Sequence, residues 1–162
     1  MFELTEISAQ SKTDFYKSLT TQLYHLLEGE RDFLANTANF SALLFNTMPD
    51  VNWVGVYFYK SGGLVLGPFQ GKPACVRIAL GKGVCGTAAE KMKTVVVSNV
   101  HEFPGHIACD SASNSEIVVP MIKQGKLIGV LDIDSPQLAR FDEEDKAGLE
   151  NLVELLLSSS DV

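Results

Sequence analysis

The chain has 162 residues, 46% of them apolar, and a formal net charge of −7. That length supports one well-buried core and is short for two ordinary domains, so a single domain over residues 1–162 is expected. An acidic balance with no lysine or arginine run excludes a nucleic-acid or anionic-membrane surface.

The N-terminal MFELTEISAQSKTD lacks a basic stretch followed by an apolar one, and no segment approaches the about 18 consecutive apolar residues of a membrane span. A soluble, cytoplasmic protein is expected. Phe15, Leu19, Leu23 and Leu26 recur at helical spacing over 14–27, and Phe33, Leu34, Phe40, Leu43 and Leu44 do so over 31–46, with a break near Gly29. From Val51 the period changes. VNWVGVYFY is rich in β-branched and aromatic residues, and Gly62-Gly63 reads as a hairpin turn into LVLGPF.

CVRIAL is a further short strand, Val84 to Met92 a short helix, and TVVVSNV another strand. Residues 101–115 carry no apolar period and read as a long loop, which in a compact domain usually covers a binding site. IVVPMI and LIGVLDI form a second hairpin about Gly125, and Phe141 to Leu157 is a closing helix with Asp142 as N-cap. The sum is an α+β domain: a central, mostly antiparallel six-stranded sheet with the N- and C-terminal helices packed on one face.

Chemistry concentrates in the three cysteines. Cys75, Cys85 and Cys109 lie in PAC, GVCG and HIACD, stretches that read as loop rather than core. Their spacings of ten and twenty-four residues, without a C-x-x-C pair, are unlike a common structural zinc site, even with His101 and His106 nearby, and no metal is expected. An odd count in a reducing compartment argues against a permanent disulfide framework and leaves metal binding, redox cycling or nucleophilic catalysis. His106, three residues from Cys109, is a candidate for depressing its pKa.

Strand parity places Ile128, Val130, Asp132 and Asp134 on one face, apolar at its start and acidic at its end. The two carboxylates either mark the strand leaving the core or form a clamp for a cation. The same parity groups Trp53, Gly55, Tyr57 and Tyr59, which read either as ordinary packing aromatics or, with the space that Gly55 leaves, as a slot between two rings. GKGVCG reads first as a tight glycine turn; the alternative is a helix start around Cys85 whose backbone N–H groups bind an anion, and without the full P-loop spacing a nucleotide-phosphate role is not expected.

The segments GPFQGKPACVRIALGKGVCG, FPGHIACDSASNSEIVVP and GVLDIDSP, in that order, resemble the free methionine-(R)-sulfoxide reductases, a family built on a GAF domain. The resemblance implies thiol-dependent reduction of free methionine (R)-sulfoxide without a bound cofactor. It implies that Cys109 attacks the sulfoxide sulfur and becomes a sulfenic acid, that Cys75 resolves it to a disulfide recycled by thioredoxin, and that Cys85 is auxiliary. It further implies a homodimer.

In that light Glu116, Asp132 and Asp134 suit the substrate ammonium or, protonated, donation to the sulfoxide oxygen. Trp53 and Tyr57 suit the methyl group and sulfur, and N–H groups around Gly83 to Cys85 or before Glu116 suit the carboxylate. The 101–115 loop is expected to be the moving part. Two other classes remain open from the residues: a non-catalytic GAF module sensing a small molecule, and a zinc-stabilised interaction domain.

Overall fold

The computed structural model describes residues 2–106 and 110–162. Two helices come first, α1 (Lys12–Leu27) and α2 (Phe33–Thr47), each begun by a side-chain cap. Ser11 accepts the Asp14 N–H and Asp32 accepts that of Ala35, which satisfies first-turn donors that have no partner within the helix. Strands β1 (Trp53–Lys60), β2 (Gly63–Gln70) and β3 (Arg77–Ala79) follow, then α3 (Gly83–Lys91), β4 (Val95–Val97), β5 (Ser115–Lys123), β6 (Lys126–Ser135) and α4 (Glu143–Ser158).

The six strands form one antiparallel sheet in the order β3-β2-β1-β6-β5-β4. Its two hairpins turn through residue pairs with positive φ, Ser61-Gly62 and Gln124-Gly125. The first turn therefore sits one residue earlier than Gly62-Gly63, with Gly63 already paired to Lys60.

Helices α1, α2 and α4 cover one face of the sheet. Val54, Val56, Ile117, Val119, Met121, Leu131 and Ile133 point into this core against Leu19, Leu23, Phe40, Leu44, Leu149, Leu152 and Leu156. Truncating one of these buried leucines to alanine costs about 2–5 kcal/mol. Helices α1 and α4 meet closely because Gly148 carries no side chain: a Cβ there would stand 2.3 Å from the Tyr16 ring. The expected packing of the terminal helices on one face holds.

The short α3 lies on the other face. Val84, Cys85, Ala88 and Ala89 pack there with Trp53, Tyr57, Leu64, Ile78, Val118 and Val130. One parity expectation fails here. The β5–β6 register slips between Met121–Gly129 and Ile122–Leu127, so Ile128 is the extra residue of a bulge and packs with the three-helix core instead of beside Val130. Within the expected 101–115 loop, a 3-10 turn over Val100–Glu102 comes first.

Candidate active site

The register of β1, β5 and β6 assembles a row that no single segment reveals. Trp53 pairs with Asp134 and Asp134 with Glu116, while Gly55 pairs with Asp132 and Asp132 with Val118. Directly opposed residues of an antiparallel pair share a face, so both acids of β6 and Glu116 of β5 rise from the α3 side of the sheet. With Trp53, Tyr57, Lys82, Gly83, Cys85, His106, Asp110 and Ser113 they line a small concavity open to solvent.

Glu116 and Asp132 are 6% and 7% exposed. The Cys85 sulfur stands 4.0 Å from Glu116 Oε1, and the sulfur and one oxygen from each of the two acids all lie within 4.8 Å of one another. Among the described residues no lysine or arginine pairs with Glu116, Asp132 or Asp134; the basic group within ion-pair distance of them is His106, with Nε2 3.6 Å from Glu116 Oε2. Burial lowers the His106 pKa, so the imidazole brings no compensating charge at neutral pH.

Each acid is accordingly held toward its neutral form. Burial raises Glu116, with the Asp134 charge adding to it; burial and then Glu116 raise Asp132; burial, Asp132 and Asp110 raise Asp134. Burial and the neighbouring Asp132 and Glu116 likewise push the Cys85 thiol well up. Asp132 Oδ1 is buried with no hydrogen-bond partner among the described residues, an expensive state unless a ligand or proton acceptor meets it. The cluster is a proton store facing a cavity. Cys85, Glu116 and Asp132 are also the donors that a metal would find, in place of the His101, His106 and Cys109 grouping considered from the sequence; His101 instead bonds Asn114 Oδ1 at 2.9 Å.

A model of the GAF domain matches residues 14–157. The chain is 51% identical over 154 residues to the free methionine-R-sulfoxide reductase of Escherichia coli (strain K12), covering 93% of both chains. It superposes on the X-ray structure of the free methionine-R-sulfoxide reductase from Neisseria meningitidis in complex with its substrate with a TM-score of 0.93, at 45% identity, over 98% of this chain and 95% of that one.

The chain belongs to the free methionine-R-sulfoxide reductase family.

Membership extends to a eukaryotic relative, the protein of the same name in Saccharomyces cerevisiae, 42% identical over 157 residues and covering 92% of this chain and 87% of that one. The family is one of GAF-domain oxidoreductases, and this chain is an enzyme of that kind.

Of the residues singled out from the sequence, the concavity of this reductase gathers Trp53, Tyr57, Cys85, Glu116, Asp132 and Asp134. Cys109 lies outside the described residues. Cys75 is half-buried in the segment before β3. Cys85 lies in the first turn of α3, as the expected Val84–Met92 helix placed it, but departs from the expectation of a thiol outside the core: it is 4% exposed, because Gly83 and Val84 open the helix under the cover of the sheet.

The aromatic slot departs as well. The space above Gly55 is filled by the Trp53 indole itself, whose ring atoms would stand 2.4 Å from a Cβ at that position. Trp53 stacks between Phe69, at 5.4 Å, and Tyr57, at 6.0 Å, as a wall of the concavity. Trp53 Nε1 donates to the carbonyl of Lys72 and Tyr57 Oη to that of Cys75, so both aromatics hold the segment carrying Cys75.

A further group of residues, centred on Asp110, was not legible as part of the site. Asp110, next to Cys109 in the chain, accepts from Lys72 at 3.1 Å, from the Ala112 N–H and from Asn52, which also donates to Ser113. The Ala112 and Lys72 bonds lower its pKa. These contacts tie the residue after Cys109 to the segment before Cys75. The D-S-A-S run after Cys109 was the available signal, since Asp and Ser at that spacing favour local turns.

Proposed function

We propose that this chain reduces the R epimer of free methionine sulfoxide to methionine and acts as a single GAF unit. The observation that carries the reading is the buried acid cluster, without a lysine or arginine paired to it among the described residues, against an aromatic wall, in a chain whose relatives bear that activity in their names. A sulfoxide oxygen is a poor leaving group until protonated, and neutral carboxyls at a cavity are suited to protonate it.

Glu116 or Asp132, nearest the cluster interior, donates a proton to the sulfoxide oxygen as the Cys109 sulfur attacks the substrate sulfur. The oxygen passes to Cys109 as a sulfenic acid, and methionine leaves with its sulfur reduced by two electrons. The Cys75 sulfur then attacks the sulfenic sulfur; an S–S bond forms, the S–O bond breaks, and water leaves with the thiol proton. A dithiol such as thioredoxin returns both cysteines to thiols. Asp134, half-buried at the edge of the cluster, receives the substrate ammonium, and the Trp53 face receives the methyl group.

Cys85, buried and held as a thiol, takes no redox step in this scheme and serves as a neutral neighbour of the acids. Cytoplasmic residence and a homodimer formed through the terminal helices belong to the same proposal. The exposed Tyr24 of α1 and Leu34 of α2 are apolar groups available for such a contact. The alternative of a non-catalytic GAF sensor would leave the neutral acids without a task.

The test is methionine release from the separated R and S epimers of free methionine sulfoxide, supplied with a thioredoxin system. Turnover of the R epimer alone, abolished by Cys109→Ser, is expected. No turnover by the wild type, equal use of both epimers, or full turnover by Cys109→Ser would refute the reading.

A further inference from the structure

Strand β3 is one end of the sheet and begins two residues after Cys75. The Leu66 N–H donates to the Val76 carbonyl at 2.9 Å, and the next position pairs Val65 with Arg77. Hydrogen-bonded and non-bonded positions alternate along an antiparallel pair, so the Arg77 N–H and C=O point away from β2, to the open edge of the sheet. Beside them Val76 is 63% exposed, and Arg77 is exposed as well.

The charge of this stretch opposes that of the chain. Residues 60–89 hold Lys60, Lys72, Arg77 and Lys82 and no aspartate or glutamate, in a protein of net charge −7. Lys72 is engaged by Asp110, whereas Arg77 forms no ion pair among the described residues. A short edge strand carrying a charge is by itself ordinary protection against unwanted strand pairing. What sets β3 apart is the half-buried Cys75 next to it, whose disulfide another protein has to reach.

Resting on the function proposed above, we infer that Val76, Arg77 and the open edge of β3 form the docking surface for the reductant of the Cys75–Cys109 disulfide. That partner is an acidic dithiol protein of the thioredoxin kind, which lays an extended segment along β3 and brings its thiolate to the Cys75 sulfur. An S–S bond forms between the partner and Cys75, the bond to Cys109 breaks, and Cys109 leaves as a thiolate. The partner's second thiol then attacks its own sulfur in the mixed disulfide and releases Cys75 as a thiolate. The partner keeps the new disulfide, and its two thiol protons pass to the two released cysteines. A small dithiol needs none of this surface.

The test supplies free methionine (R)-sulfoxide with either reduced thioredoxin of negative net charge or dithiothreitol, in wild type, Arg77→Glu and Arg77→Lys. Wild-type kcat/KM for thioredoxin falls with added salt, Arg77→Glu lowers it about tenfold at low salt, and Arg77→Lys keeps most of it. Turnover with dithiothreitol is equal in all three. Thioredoxin with its second cysteine changed to serine is trapped on Cys75 of the oxidised protein, with Cys109 free.

An unchanged kcat/KM for thioredoxin in Arg77→Glu, an equal loss with both reductants, trapping on Cys109, or wild-type turnover with dithiothreitol alone overturns the docking surface and leaves the reduction of the sulfoxide intact. Absence of wild-type turnover with dithiothreitol rejects the reductase reading and this inference with it. Arg77 is exposed, so its variants are expected to fold, and an unchanged melting temperature confirms it.

Discussion

Asp145, behind the sheet, and Asp132, in front of it, are both buried carboxylates, at 1% and 7% exposure, in contrasting surroundings. Asp145 accepts from Lys12, Arg140, the Tyr16 hydroxyl and the Asp142 backbone N–H, the last as half of a capping box that starts α4. Asp132 has an orphaned oxygen and acidic neighbours. The first acid is fully paid for by partners and joins α1 to α4; the second is left costly at a cavity. That contrast separates a structural charge from one kept for chemistry.

The contrast is broken or sharpened most strongly by removing each acid. Asp132→Asn is expected to lower turnover of the free sulfoxide by about 10²–10⁴-fold, the usual worth of a general acid, while thermal stability at pH 7 stays level or rises because an ionisable group no longer has to be buried neutral. Asp145→Ala should do the reverse. It strands the Lys12 and Arg140 charges and costs about 3–5 kcal/mol of unfolding free energy, with turnover per folded molecule unchanged. Denaturant titration beside the methionine-release assay reads both.

The pH dependence of stability should likewise have opposite signs in the two regions. Glu116, Asp132 and Asp134 have folded pKa values above the ordinary carboxylate range of about 4. Their contribution is complete below about pH 4 and is lost as pH rises through the raised values. Asp142, held by the Lys12 hydrogen bond down to about 2, contributes above about pH 4 and loses that contribution as pH falls toward 2. Its side chain is about half exposed, which keeps its effect small. Unfolding midpoints measured from about pH 5 to 9 should decline in the wild type and decline less in Asp132→Asn.

A smaller effect concerns the thiols. Iodoacetamide should label Cys85 roughly a hundredfold more slowly than Cys75 in the reduced protein, since the buried, raised thiol reacts only through opening of α3. Equal labelling rates would place Cys85 on the reactive side of the contrast.

The terminal helices and the four longer strands were legible because their apolar periods are regular, as with Leu19 and Leu23 in α1 or Val54 and Val56 in β1. Local reading failed where pairing decides. Ile128 changes sides through a bulge that only the partner strand imposes, and the Gly55 space is taken by Trp53 from two residues away on its own strand. The acids of β6 were visible by parity, but their convergence with Glu116 needed the β5–β6 register, and the burial of Cys85 needed the docking of α3.

The measurement that tests the contrast most directly is a carboxyl carbon NMR titration of the reduced protein, with Glu116, Asp132, Asp134 and Asp142 assigned. The three pocket acids are expected to titrate well above the ordinary carboxylate range and Asp142 near 2. Pocket carboxyls that all titrate near their ordinary values of about 4 would contradict the account, because no proton would then be stored where the sulfoxide is to be reduced.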